Sequence, residues 1–186
     1  KKKLADRITV TAVSSPETLE KAKKLNIFDN FYTYSELTQS LENLDFVFLC
    51  SPIKVIAEHI KQISSIPNRN KKLIVTDIGS TKKFIMETAL SSFSNRSDLV
   101  FIGGHPMTGN EFKGIDSHDS SIYENSIYVL TPFKNTKDED IDGLIKLVKT
   151  INNSGVVNNL IIIRLRILYK QEIYHKLLKK QHLVCH

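Results

Sequence analysis

Two stretches of this chain are apolar on both faces of any strand they could form. Residues 44–52, LDFVFLCSP, and residues 71–80, KKLIVTDIGS, run almost unbroken through Phe, Val, Leu and Ile before a polar turn. A strand with one wet face alternates in polarity. A continuous apolar run needs cover on both faces, which is the condition of a parallel strand sandwiched between helices. Residues 98–104, DLVFIGG, and 126–132, SIYVLTP, repeat the pattern, and RITVTAVSS at 7–15 precedes it. Helical periods fill the gaps at 15–27, 55–63, 80–93 and 137–151. The first of these begins with Ser15 as a natural N-cap and Pro16 at the first helical position. Strands alternating with helices predict an α/β fold with a doubly wound, mostly parallel sheet.

Such sheets bind ligands beyond the carboxyl ends of their strands. The polar turns at 14–16, 50–52, 76–82 and 103–111 all follow strands, so they are expected to gather along one edge. In TDIGSTKK (76–83) a glycine permits close approach, Ser80 and Thr81 open a helix, and Lys82 adds positive charge. Two readings fit: an anion site at a helix start, or an ordinary glycine turn with a serine cap. In GGHPMTGNE (103–111) two glycines and a proline surround His105. A neutral imidazole there can take a hydroxyl proton, or it simply satisfies a loop. No second His or Cys stands at ligand spacing, so no metal is expected. A Ser-His-Asp hydrolase built on Ser80 and Asp77 lacks the G-x-S-x-G elbow.

Charge and cysteines exclude other classes. The net charge of +6 is uneven: residues 155–186 carry six basic side chains against the single acid Glu172, and the remainder is nearly neutral. A nucleic-acid-binding body would show a basic face of its own, so no nucleic-acid partner is expected. No apolar run reaches about 18 residues, so neither is a membrane partner. Cys50 and Cys185 are too few for a disulfide framework. Cys50 reads as a small buried hydrophobe, and the expected setting is cytoplasmic.

Taken together and in order, DFVFLCSP, VTDIGSTK, FIGGHPMTGNEFKG and YENSIYVLTP resemble the prephenate dehydrogenase family, which includes arogenate dehydrogenases; the resemblance covers roughly residues 8–150. It implies a Rossmann-like domain and an oxidative decarboxylation of prephenate or arogenate. Hydride passes from the ring carbon bearing the hydroxyl to NAD or NADP, and carbon dioxide leaves as the ring becomes aromatic. By the same resemblance His105 handles the hydroxyl proton and Ser80 orients substrate and histidine, and full-length members are homodimers. Val13, Ser14, Ser15, Ser51, Pro52, Thr76, Asp77 and Gly79 fall to the cofactor. Ser80, His105, Met107, Thr108 and Gly109 fall to the substrate. Family members that prefer NAD often place an acid after the second strand. Here that turn is Val-Ser-Ser, which leaves NADP open.

The chain departs from the family pattern at both ends. The family opens on a strand and a G-x-G-x-x-G turn, whereas the first glycine here is Gly79. The family continues into a helical domain, whereas the pattern here is lost after Ser154. The expected organisation is therefore a partial nucleotide-binding domain over 1–154 and an atypical basic tail over 155–186 that reads as frame-shifted. The chain itself is expected to be an incomplete, weakly active or inactive piece. The alternative is a non-catalytic α/β binding or scaffold module.

Overall fold

The structure, a computed structural model, describes residues 8–107, 126–151 and 161–164. Among the described residues are seven short strands and five helices, mostly in alternation. In chain order they are β1 (Thr11–Ser14), α1 (Pro16–Lys24), β2 (Asn30–Thr33), α2 (Leu37–Leu41), β3 (Phe46–Leu49), α3 (Ile53–Ser64), β4 (Leu73–Asp77), α4 (Lys83–Ser92), β5 (Leu99–Pro106), β6 (Ile127–Pro132), α5 (Asp138–Ile151) and β7 (Ile161–Arg164). A single 3₁₀ turn, Tyr34–Glu36, leads into α2.

β3, β4 and β5 pair in parallel, β6 joins β5 antiparallel, and β7 joins β6 in parallel. β1 and β2 form a separate two-stranded parallel sheet. Among the described residues no strand lies between β1 and β3. In a doubly wound sheet of order 3-2-1-4-5-6 that position belongs to the first strand.

The alternation of strand side chains builds two cores. Leu49, Leu73, Val75, Leu99 and Phe101 face α3 and α4, where Ile56, Ile60, Ile63, Ile85 and Ala89 are almost wholly buried. Ile74, Ile102, Tyr128 and Leu130 face the opposite way, against Ile141, Leu144 and Val148 of α5. Each buried Val, Leu, Ile or Phe among them contributes about 1.5–3 kcal/mol on leaving water. The double-sided runs read from the sequence thus have helices on both faces. No helix among the described residues is long and apolar enough to cross a membrane.

Several boundaries differ from the sequence expectation. α1 starts where expected: the Ser15 hydroxyl accepts from the Thr18 amide at 3.3 Å. It ends earlier, at Lys24, where Asn26 adopts a left-handed φ of 52° just past the cap. α4 begins at Lys83, not at Ser80, because Lys82 turns back into the protein. β5 runs on through His105 and Pro106, so the two glycines and the histidine lie in a strand rather than a turn, held by β6. Cys50 is exposed, not buried. It lies one residue beyond the last paired position of β3, with its Sγ 3.7 Å from the Phe48 carbonyl oxygen. β2, the 3₁₀ turn and α2 were not anticipated, and β7 comes from the segment set apart as a tail.

Candidate functional site

The parallel ladder between β4 and β5 ends at Thr76 and Ile102. Beyond it, β5 continues for four residues on β6 alone, with His105 opposite Val129. One side chain takes over where the ladder stops. The Asp77 carboxylate is fully buried. Its Oδ1 accepts from the Gly104 amide at 3.1 Å and its Oδ2 from the Gly79 amide at 2.9 Å. Lys82 Nζ completes the cluster with an ion pair to Asp77 Oδ2 and a 2.6 Å hydrogen bond to the Gly79 carbonyl. Ser80 directly follows Gly79, and His105 directly follows Gly104. One carboxylate therefore joins the turn carrying the hydroxyl to the strand end carrying the imidazole.

Strand alternation decides which way His105 faces. A Cβ on Gly103 would meet Met86 Sδ of α4 at 2.9 Å and Lys82 Cδ at 3.2 Å. His105, two residues on, faces the same side. Its pKa is lowered, first by burial and then by the Lys82 charge, with Asp77 acting the other way. The ring is therefore neutral at physiological pH and able to accept a proton. Lys82 is lowered by burial and raised by Asp77. Its charge is engaged inside the protein, so the anion site imagined at this helix start has no free cation in Lys82.

Gly104 faces the opposite side, where no side chain fits. A Cβ would lie 2.5 Å from the Asp77 carbonyl oxygen and 2.7 Å from both Thr76 Oγ1 and Tyr128 Oη. The Thr76 hydroxyl is fully buried and has no hydrogen-bond partner among the described residues. Read from the sequence, Tyr128 only shapes its strand. An aromatic in a strand signals core packing and gives no hint that its hydroxyl reaches a glycine.

The other anticipated residues are distributed as follows. Val13 and Ser14 end β1, half-buried, in the two-stranded sheet, and the Ser15 hydroxyl is engaged as the α1 cap. Ser51 is half-buried and Pro52 is the exposed N-cap of α3, both just past β3. Ser80 is exposed, whereas Thr76, Asp77 and Gly79 are buried. Met107 is buried, and its amide donates to the Ile127 carbonyl at 2.7 Å. Thr108 and Gly109 lie outside the described residues. Ser51 and Ser80 thus follow the neighbouring parallel strands β3 and β4, Asp77 is the last residue of β4, and His105 stands past the end of the β4–β5 ladder.

A mostly parallel sheet covered on both faces, with polar turns and a neutral histidine at the carboxyl end of its central strands, defines a dinucleotide-binding type of α/β domain. The comparisons narrow the class. The family model described as prephenate dehydrogenase, nucleotide-binding domain, matches residues 1–157, and the chain belongs to that family. It is 37% identical over 123 residues to the prephenate dehydrogenase of Lactococcus lactis, an overlap of 66% of this chain and 33% of that protein. Among solved structures, the arogenate dehydrogenase of Synechocystis superposes with a TM-score of 0.69 at 27% identity, over 88% of this chain and 53% of that one. Prephenate dehydrogenase from Aquifex aeolicus, in complex with hydroxyphenyl propionate and NAD+, gives 0.70 at 26% identity, over 95% and 57%. The chain therefore spans about a third of that curated relative and somewhat over half of each solved chain.

Proposed function

We propose that this chain supplies the cofactor-facing part of a cytoplasmic dehydrogenase that oxidatively decarboxylates prephenate or arogenate, with Ser80 and His105 at the reacting end. One observation carries the reading. The Asp77 carboxylate ties the Gly79–Ser80 turn to the Gly104–His105 strand end, at the edge where an α/β sheet receives its ligand.

The side chains at this edge suit part of a dinucleotide. Hydroxyls at Ser14, Ser51 and Ser80 are donors and acceptors for ribose and carboxamide groups. The turn after β1 offers serines and no acid, which accommodates either a ribose hydroxyl or a 2′-phosphate. Among the described residues no glycine-rich turn is present to cradle a pyrophosphate. A bound nicotinamide supplies the hydride acceptor. The protein's share is positioning and proton handling. Ser80 orients the substrate hydroxyl, and neutral His105 takes its proton as the C–H hydrogen leaves as hydride. Loss of carbon dioxide then leaves an aromatic ring, and the proton returns to the phenolate oxygen.

Titrating the 15N-labelled chain with NAD+ and with NADP+ tests the reading. Saturable shifts at the Ser51, Gly79, Ser80 and His105 amides are expected with at least one of the two nucleotides. Shifts confined to other surfaces, or none with either nucleotide, would overturn it. Adding prephenate or arogenate and following NAD(P)H absorbance then separates the two substrates.

A further inference from the structure

We infer that Asp77 is the positioning residue of this site: its carboxylate locks the Ser80 turn onto the end of β5, so it acts through the neighbours of Ser80 and His105 and makes no contact with cofactor. The inference rests on the functional reading above for what is being positioned, but the clamp stands on geometry alone. β4 and β5 stop pairing at Thr76 and Ile102. Two residues past Ile102, the Gly104 amide donates to a side chain of β4, the Asp77 carboxylate, 27 positions away in sequence. The second carboxylate oxygen accepts from Gly79, two residues along the chain. Both oxygens are thus engaged, and the side chain shows no exposed surface through which to reach a ligand.

The choice of a carboxylate is informative. A charge in this position carries a desolvation penalty that even a good ion pair often fails to repay in stability. An ionised carboxylate is acceptor-only at both oxygens, and here every facing group is a donor: two amides and the Lys82 ammonium. An amide side chain would turn an NH2 group against one of them. Three ionisable groups lie near Asp77: Lys82 from its own turn, His105 from β5 and Cys50 from the end of β3. Asp77 favours the protonated form of all three, Lys82 and His105 as cations and Cys50 as the neutral thiol.

Amide hydrogen exchange on the whole chain tests the inference, with Asp77→Asn beside the parent. In the parent, the Gly79 and Gly104 amides are expected to be protected although neither has a ladder partner on β4. In Asp77→Asn at least one of the two, the amide left facing the NH2 group, is expected to exchange at least tenfold faster, the size of one lost charge-assisted hydrogen bond, while Ile74 and Ile102 keep their protection. The His105 ring is expected to titrate at lower pH in Asp77→Asn and at higher pH in Lys82→Met, a pair of opposite shifts that a merely structural role would not produce. Unprotected glycines in the parent overturn the inference even if the Asn variant fails to fold. So does a uniform loss of protection across β4 and β5, or a His105 midpoint unmoved in both variants. None of these readouts requires nucleotide. Failure of NAD(P)+ to bind, with the clamp intact, would count against the proposed function alone.

Discussion

Arg96 grips Asp98 with two nitrogens, Nε on Oδ1 at 2.9 Å and Nη2 on Oδ2 at 2.7 Å. The same guanidinium donates through Nη1 to the carbonyls of Ser64 and Ile66, at 2.7 and 2.8 Å, at the end of α3. Asp98 also accepts from the Arg69 amide at 2.9 Å. Arg69 in turn donates to the Leu41 and Leu44 carbonyls, at the end of α2 and just past it. These two arginines tie the amino end of β5 to two helix ends, opposite the end that carries His105.

This pair contributes to the chain's acid sensitivity. Hydrogen bonding to Arg96, joined by the Arg69 amide and opposed by burial, brings the Asp98 carboxyl from 3.8 down to about 2. A depressed carboxyl stabilises the fold above its unfolded value, and the contribution is lost as pH falls from about 4 to about 2. The shift corresponds to about 2 kcal/mol for this largely buried group. Asp98→Asn is expected to lower stability by about that much at neutral pH. In denaturant titrations the gap to the parent should close toward pH 2; a gap independent of pH would refute the assignment.

His105 acts in the opposite pH range. Burial first, and Lys82 second, lower it from the ordinary value of 6.5, against the pull of Asp77. Below 6.5 the unfolded chain binds a proton that the folded chain resists, so stability falls as pH drops through that value and no penalty remains above it. Stability measured from pH 8 down to pH 5 should decline less steeply in His105→Gln than in the parent. Parallel curves would show that the ring is not held neutral.

At α1 the expected effect is local. The Ser15 hydroxyl accepts from the Thr18 amide and also donates to the Thr18 hydroxyl at 3.0 Å. Replacing Ser15 by Ala removes the cap and is expected to cost about 1 kcal/mol. Replacing it by Gly should cost only a few tenths. Thermal melts of the two variants distinguish loss of the cap from a wider role for this serine.

The elements legible in the sequence are those whose signal is local and dense. β3, β4 and β6 announce themselves by apolar runs, and α1 by Ser15-Pro16. β2 is only Asn30–Thr33, with polar residues at both ends, and its place is fixed by pairing with β1. Ser80 and Thr81 carry the residue types of a helix cap, yet α4 starts later because Lys82 folds back onto Asp77. Gly103-Gly104-His105-Pro106 has the composition of a turn but is a strand, since β6 pairs with it and Thr76, Asp77 and Tyr128 leave no room for a side chain at Gly104. Ser80, His105 and Asp77 could all be picked out in advance. What Asp77 does depends on an amide 27 residues away, and no local pattern encodes that.

Two glycines give the sharpest test of this packing, because the same substitution should act in opposite directions. At Gly104 an added methyl meets the Asp77 carbonyl oxygen at 2.5 Å, with Thr76 Oγ1 and Tyr128 Oη both at 2.7 Å. The nearest of these is backbone, and all three belong to buried strands, so none can move aside cheaply. Overpacking of this kind costs about 1–3 kcal/mol, and the strand end must shift, carrying His105 with it. At Gly143, inside α5, the methyl finds Ile74 Cδ1 and Phe46 Cζ at 3.8 Å, ordinary contact distance. There alanine removes the helix penalty of glycine, worth about 0.8–1 kcal/mol. Denaturant midpoints should therefore fall for Gly104→Ala and rise for Gly143→Ala. Gly104→Ala should also displace the His105 ring resonances, and Gly143→Ala should leave them in place. A neutral Gly104→Ala would mean that β5 does not approach Thr76 and Tyr128 this closely, and the link between Asp77 and His105 would fail with it.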